Sequence, residues 1–404
     1  MKKYFLLGSL FCMLAMAAAV QAQPRVELSE SFEEPEGGWN KVLQLSNGNT
    51  FFFHFNKDKG VEVWVYDKRR RKSSNLIIAG TLWNTKKLPE STIEGFYEIG
   101  GQPVIFLHQT IDRTPSLFRI ILNENTGAVE AEELISTLPR YKTGSGWAMA
   151  YGGVDAMDFY VEKDPNSDCY AVVNFNSFSS ESGERIEVVH YSGAEGNHKV
   201  LNRAFYQVPA GNFKYIDFIA MAVDKQAAYI CTYGYPGKWS SKDSRLVISK
   251  LALTNNEFVH RQLEFSEDFR ATSGIMLYNP GTNLLQLMTL TEISTKSNFL
   301  TGASTTRLLS LMNYIDPQTL TIIASKPLAA QMVSEHLTRQ LGKESRYYGV
   351  PQQMVLNRDN TTTVLMEEMQ RIVKRNASTG AIISTQTNLG GIGVSELNDR
   401  GMEE

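Results

Sequence analysis

The sequence predicts an all-β protein, a β-propeller of six four-stranded blades with one helix inserted between blades five and six. Three observations predict it. Tight polar turns built from Asn, Asp, Gly and Pro recur along the 404 residues, each flanked by short β-branched or aromatic runs. The leading turn of each unit returns through Asn47, Gly100, Asn166, Asp224, Pro280 and Arg358, leaving room for four strands between one turn and the next. Four strands cannot bury both of their faces alone, and units of this size are stabilised by packing face to face around a ring.

The units justify themselves in order. Residues 42–45 lead through Asn47-Gly48-Asn49 to residues 51–55, and residues 95–99 through Gly100-Gly101 to residues 104–108. The third unit has residues 157–161 and 170–175 about a turn from Asp164 to Asp168, and the fourth has residues 216–223 and 227–233 about Asp224-Lys225-Gln226. Residues 275–278 and 284–290 flank Asn279-Pro280-Gly281-Thr282-Asn283, and residues 353–356 and 361–366 flank the last turn. Each of these hairpins is followed by a second apolar run ending in another polar turn: Asp67, Asn123 to Gly127, Ser192-Gly193, Thr254-Asn255-Asn256, Asp316 to Thr319 and Asn398 to Gly401. A fourth strand follows every one of these except the last. Residues 25–29 have the alternation to complete that sixth blade beside residues 392–397, and a longer chain with a seventh blade is the other expectation.

Between units five and six, residues 328–341 place Leu328, Met332, Val333, Leu337 and Leu341 near one face of a helix, with Gln331, Glu335 and Arg339 opposite. The helix is expected to cap the gap between those two units. At the N-terminus, Lys2 and Lys3 precede an apolar run to Val20, then Gln21 and Ala22, which is the layout of a secretory signal peptide. The expected division is therefore residues 1–22 as signal and 23–404 as propeller, in a protein that is periplasmic, at the cell surface or secreted. No later stretch is apolar for long enough to span a bilayer.

The net charge of −3 becomes more negative once Lys2 and Lys3 are removed, and it is spread along the chain, which excludes the basic face that nucleic acid requires. Cys169 and Cys231 fall at offset positions of successive units and are expected to be free thiols. The six histidines form no HxH or HExxH pattern and no histidine–carboxylate group at ligand spacing, while Asp164 and Asp168 could hold calcium only weakly, so neither a metal nor a cofactor is expected.

In a propeller the hairpin turns lie on one face, while the connections between second and third strands and between blades lie on the other. The latter are long here, and long loops on a rigid scaffold are where binding residues concentrate. Candidate binding residues on that face are Trp147 and Tyr151 in the 137–154 loop, and Tyr235, Lys238 and Trp239 in the 234–244 loop, because aromatics beside basic groups stack on sugars and peptides. Glu367 is a further candidate, as one of an adjacent glutamate pair in a strand must point into the blade packing. No catalytic constellation stands out. The expected function is a non-enzymatic binding or scaffold module for a polysaccharide or an envelope protein. The alternative is a carbohydrate-active hydrolase or lyase with carboxylates gathered at the channel mouth.

The run Asn357 to Thr363, then Glu367-Glu368, then Gly391-Ile392-Gly393-Val394-Ser395, resembles uncharacterised exported β-propeller-like proteins of Gram-negative bacteria. The resemblance covers the last unit well and the others by layout. It implies the fold and export, and it carries no catalytic residue.

Overall fold

The turns and apolar runs resolve into six antiparallel meanders arranged as a β-propeller. A computed structural model describes residues 38–403 apart from 57–58, 141–156, 177–185, 207–212, 214, 236–243, 264–269, 295–305, 329, 343, 345 and 376–381. Blade one is β1 (Trp39–Gln44), β2 (Thr50–Asn56), β3 (Gly60–Tyr66) and β4 (Lys72–Ile78). Blade two is β5 (Thr92–Ile99), β6 (Gln102–Ile111), β7 (Thr114–Leu122) and β8 (Val129–Thr137). Blade three is β9 (Met157–Lys163), β10 (Cys169–Asn176), β11 (Ile186–Ser192) and β12 (Lys199–Phe205). Blade four is β13 (Tyr215–Val223), β14 (Ala227–Tyr235), β15 (Arg245–Ala252) and β16 (Val259–Leu263). Blade five is β17 (Arg270–Asn279), β18 (Leu284–Ser294), β19 (Thr306–Ile315) and β20 (Ile322–Pro327). Blade six has three strands among the described residues: β21 (Gly349–Leu356), β22 (Thr362–Arg375) and β23 (Ile382–Leu397).

Burial follows position in the blade. The middle strands are covered on both faces by neighbouring blades, so β7 is buried from Pro115 to Leu122, Arg119 included, and β14 is buried along its whole length and reads as a nearly unbroken apolar run. The fourth strands have one side in water and alternate, as β20 does in IIASKP. Between blades the contacts are aromatic: Phe53 meets Phe96 edge-on at 4.9 Å, Phe106 lies 5.3 Å from Tyr170, and Tyr160 stacks on Phe218 at 3.6 Å.

The tight turns are held by their own side chains. Asp224 Oδ1 accepts from the backbone N–H of Gln226 and Ala227 at 2.6 and 2.7 Å, and Asp316 Oδ1 does the same for Gln318 and Thr319 at 2.7 and 2.9 Å. At the turn joining β5 to β6, both central residues lie in the left-handed region, Gly100 at φ 60° and Gly101 at φ 80°, as a two-residue hairpin of this kind demands. Adjacent blades are also tied together on the side of these turns. Asn49 Nδ2 donates to the Glu124 carbonyl at 2.9 Å, Lys250 Nζ to that of Pro317 at 3.0 Å, and Asn279 Nδ2 to that of Asn360 at 2.9 Å.

The inserted helix, α1 (Gln331–Leu341), starts later than expected because Ala330 stands in the left-handed region at φ 46°. Leu328, Val333 and Leu337 pack on Tyr314, Tyr347, Met354 and Val364, so the element does sit over the junction of blades five and six. Cys169 and Cys231 are free thiols, Cys231 fully buried. Residues 25–29 and the signal-like segment lie outside the described residues. On β23, where the closing strand was expected, Ile392 is 76% and Val394 56% exposed. Among the described residues no helix is long and apolar enough to cross a membrane.

Candidate functional site

The first strand of each blade is the innermost. Successive first strands touch one another around the axis, and a cavity of about 250 Å³ between them is lined by Glu94 of β5, Tyr160 and Glu162 of β9, Phe218 and Met221 of β13, and Gly274 and Met276 of β17. First strands begin on the face of the long connections and second strands end there. Three ionisable side chains converge at that level: Glu94 near the start of β5, His108 near the end of β6 and Asp158 near the start of β9.

Local structure explains the convergence. The pairing of β5 with β6 shifts register between Ile93 and Gly95, so Glu94 is the extra residue of a β-bulge and its side chain is re-aimed. Gly95 makes the close approach feasible, since a Cβ there would stand 2.6 Å from Tyr97 Cε2 and 2.9 Å from Phe106 Cδ2. The Tyr97 hydroxyl donates to the Val161 carbonyl at 2.9 Å and so joins β5 to β9. The His108 ring stands edge-on to Phe159 at 5.0 Å, and the backbone N–H of Phe159 donates to Asp158 Oδ1 at 2.8 Å.

His108 Nδ1 lies 3.4 Å from Glu94 Oε1 and 3.3 Å from Asp158 Oδ1, with side-chain exposures of 14%, 11% and 30% for the histidine, the glutamate and the aspartate. Burial disfavours the imidazolium, but the contacts with Asp158 and Glu94 outweigh it and raise the His108 pKa to about 9. Burial raises the Glu94 carboxyl, and the neighbouring His108 pulls it partly back. Glu162 is pushed up to about 8 by burial, with Lys163 opposing, so it carries its proton at neutral pH. At the cavity's edge, therefore, stands an imidazolium clasped by two carboxyl groups, of which Glu94 also lines the cavity; farther along β9, toward its other end, the cavity wall carries a neutral carboxylic acid, Glu162.

The grouping corrects the sequence expectation that no histidine–carboxylate cluster exists: the three residues come from three strands of two blades, so no linear spacing reveals them. Of the proposed binding residues, Trp147, Tyr151, Lys238 and Trp239 lie outside the described residues. Tyr235 is buried, and its hydroxyl donates to Asp217 Oδ1 at 3.1 Å. Glu367 is half-buried in β22 opposite Val350 and Ile392, in blade six, and the structure does not bring it to the cluster. His54 stays outside this cluster, and its Nδ1 pairs with Asn40 Oδ1 at 2.8 Å within blade one.

A second cavity, about 300 Å³, opens among the tight turns of blades three to five, lined by Asp164, Asp224, Tyr229, Lys250 and Tyr278. Its acids are engaged in the turns themselves. Asp164 accepts from the N–H of Asn166 at 2.9 Å and from the Ser167 hydroxyl, and Asp224 accepts from the Tyr229 hydroxyl at 3.1 Å in addition to its turn bonds.

No family model matches the chain, and no curated protein matches it. Among solved structures, an ulvan lyase of a polysaccharide lyase family aligns at 11% identity over 75% of this chain and 72% of that one, with a TM-score of 0.39. The α-L-arabinofuranosidase of Fusarium graminearum bound to arabinobiose aligns at 12% identity over 74% and 80%, with a TM-score of 0.42. A member of the DUF4221 family from Bacteroides vulgatus aligns at 10% identity over 81% and 87%, with a TM-score of 0.37. Likeness at this level carries no argument, and the chemistry of the Glu94–His108–Asp158 cluster rests on this chain's own residues.

Proposed function

We propose that this is an exported binding propeller, released from residues 1–22, which holds a hydroxyl-rich ligand of the polysaccharide class at the long-loop mouth of its channel. The observation that carries the reading is the Glu94–His108–Asp158 cluster at the level where the first strands begin, with Glu94 lining the channel cavity. Carboxylates are strong acceptors for sugar hydroxyls, and a concave site with a few convergent polar groups on an otherwise apolar wall suits an oriented sugar chain. The sequence assigns Trp147, Tyr151, Lys238 and Trp239 to the connections expected on that face, where they would supply stacking surface around the mouth. The test is calorimetric titration with a panel of acidic and neutral polysaccharides. Saturable binding that E94Q and D158N each weaken at least tenfold supports the reading, and no binding to any member sinks it.

A second reading, a hydrolase or lyase acting deeper in the channel cavity, is favoured by one observation. Burial keeps Glu162 protonated at neutral pH in the cavity that Glu94 also lines, so the cavity offers a candidate general acid. Release of new reducing ends or unsaturated sugars from a bound polysaccharide, abolished in E162Q, would decide for it.

A further inference from the structure

We infer that Glu94, His108 and Asp158 form a binding site for one first-row divalent cation of the zinc or manganese class. The three potential ligand atoms, one from each residue, lie within 4.8 Å of one another. The inference concerns the mouth site but does not depend on its ligand being a polysaccharide.

The distances distinguish a ligand set from an ordinary ion-paired histidine. Charge-assisted N–H···O bonds settle at about 2.7–2.9 Å. Here Nδ1 stands 3.3 and 3.4 Å from the two carboxylate oxygens, and Glu94 Oε1, though buried, makes no hydrogen bond. Atoms bound to one metal at about 2.0–2.2 Å stand roughly 3.0 to 3.5 Å apart in octahedral or tetrahedral geometry. Both nitrogen–oxygen separations fall in that range. The edge between the two carboxylates is adjustable, because the terminal torsions of Glu and Asp are broad and each group offers two oxygens.

The surroundings suit a ligand set as well. The Phe159 N–H fixes the Asp158 carboxylate, and the Phe159 ring holds the imidazole edge-on, which limits rotation of both groups. The bulge that aims Glu94 inward gives the third ligand a place on the first strand. Imidazole with two carboxylates favours zinc or manganese over calcium and magnesium, which take oxygen ligands almost throughout. Three protein ligands leave coordination positions for oxygens of a bound molecule entering from the channel.

The experiment uses the whole mature chain, stripped with chelator and dialysed, and titrated with Zn²⁺ and with Mn²⁺ alone by calorimetry, with bound metal counted by elemental analysis. The expected result is one equivalent bound, at least tenfold more weakly in E94Q, D158N and H108N, and unchanged in E335Q on the exposed face of α1. Co²⁺ serves as a spectroscopic probe of the unmutated protein: visible d–d bands of a low-symmetry nitrogen–oxygen site should rise to a plateau at one equivalent. No stoichiometric binding, or binding that survives all three substitutions, overturns the inference. A Co²⁺ spectrum identical to that of the aqueous ion overturns it even if the variants fail to fold. Metal binding without any polysaccharide binding leaves this inference standing and removes the proposed function instead.

Discussion

The Tyr97 hydroxyl donates to the Val161 carbonyl at 2.9 Å across the junction of blades two and three. Glu94 stands three residues before Tyr97 in β5 and Asp158 three residues before Val161 in β9, so this bond ties together the two strands that carry the carboxyl groups. Burial raises the phenol well above its ordinary range, so it remains a donor at every pH of interest. Y97F should cost about 1 kcal/mol in denaturant unfolding. It should also weaken ligand or metal binding at the mouth by more than that loss of stability would suggest. A variant equal to wild type in both measurements would show that the bond positions nothing.

Gly95 gives a sharper prediction. A methyl group there would meet Tyr97, Phe106 and Val161 at 2.6, 2.9 and 3.2 Å, and these side chains fill the junction of blades two and three. G95A should destabilise the protein by roughly 1–3 kcal/mol through overpacking. The displaced ring should break the Tyr97–Val161 bond, so combining G95A with Y97F should cost less than the sum of the two. Chemical denaturation of the single and double variants supplies the cycle; strict additivity would contradict the coupling.

The fold was legible because its signals are local. Asn47-Gly48, Gly100-Gly101, Asp224 and Asp316 announce turns through side-chain chemistry or left-handed backbone, and the apolar runs beside them have strand length. The site was not legible, for two physical reasons. Glu94, His108 and Asp158 meet only through pairing between strands and packing between blades, and the bulge that turns Glu94 inward has no linear mark beyond Gly95. Tyr235 differs from its expected place in the 234–244 loop. Taken as the start of a loop, it is the last residue of β14, two positions beyond Tyr233, and strand alternation therefore places both rings in the same buried layer, 5.8 Å apart. The helix at residues 328–341 was recognisable by its period, but its first turn was lost to the left-handed Ala330.

Two buried histidines make stability sensitive to acid. Burial lowers His190 to about 4, against a smaller upward pull from Asp224 and Asp164. Burial, helped by Arg119, lowers His198 to about 4 as well. The unfolded chain takes up these protons near pH 6.5 and the folded one only near 4. The stability is therefore complete above about pH 6.5 and is lost as the pH falls through that window, by roughly 3 kcal/mol at most for each histidine. Glu162, raised to about 8, works in the opposite sense, since its contribution is lost as the pH rises from the ordinary glutamate range toward 8. The difference between wild type and H190N isolates the histidine: unfolding free energies measured from pH 7 to 4 should fall less steeply in the variant. Parallel curves would remove His190 from the account.

The last prediction concerns an unequal ion pair. Arg119 of β7 is 5% exposed; its guanidinium bonds to Glu133 of β8 and to the Tyr170 hydroxyl in the next blade, and it lies over the Tyr191 ring with 5.6 Å to the centroid. The Glu133 side chain, by contrast, is 45% exposed. Removing the glutamate leaves a buried cation without its counter-charge, whereas removing the arginine leaves a carboxylate that water can still solvate. Methionine in place of Arg119 would keep much of the packing on Tyr191, and the Tyr170 hydroxyl would retain His198 Nδ1 at 3.0 Å as a partner. E133A should therefore cost more than R119M, roughly 1–3 kcal/mol against about 1 or less, the first figure reduced because Glu133 is half in water. The two variants and their combination, unfolded in denaturant, test the order. If R119M proves the more damaging, the guanidinium is contributing through its bond to Tyr170 and its contact with Tyr191 rather than needing Glu133 to neutralise it.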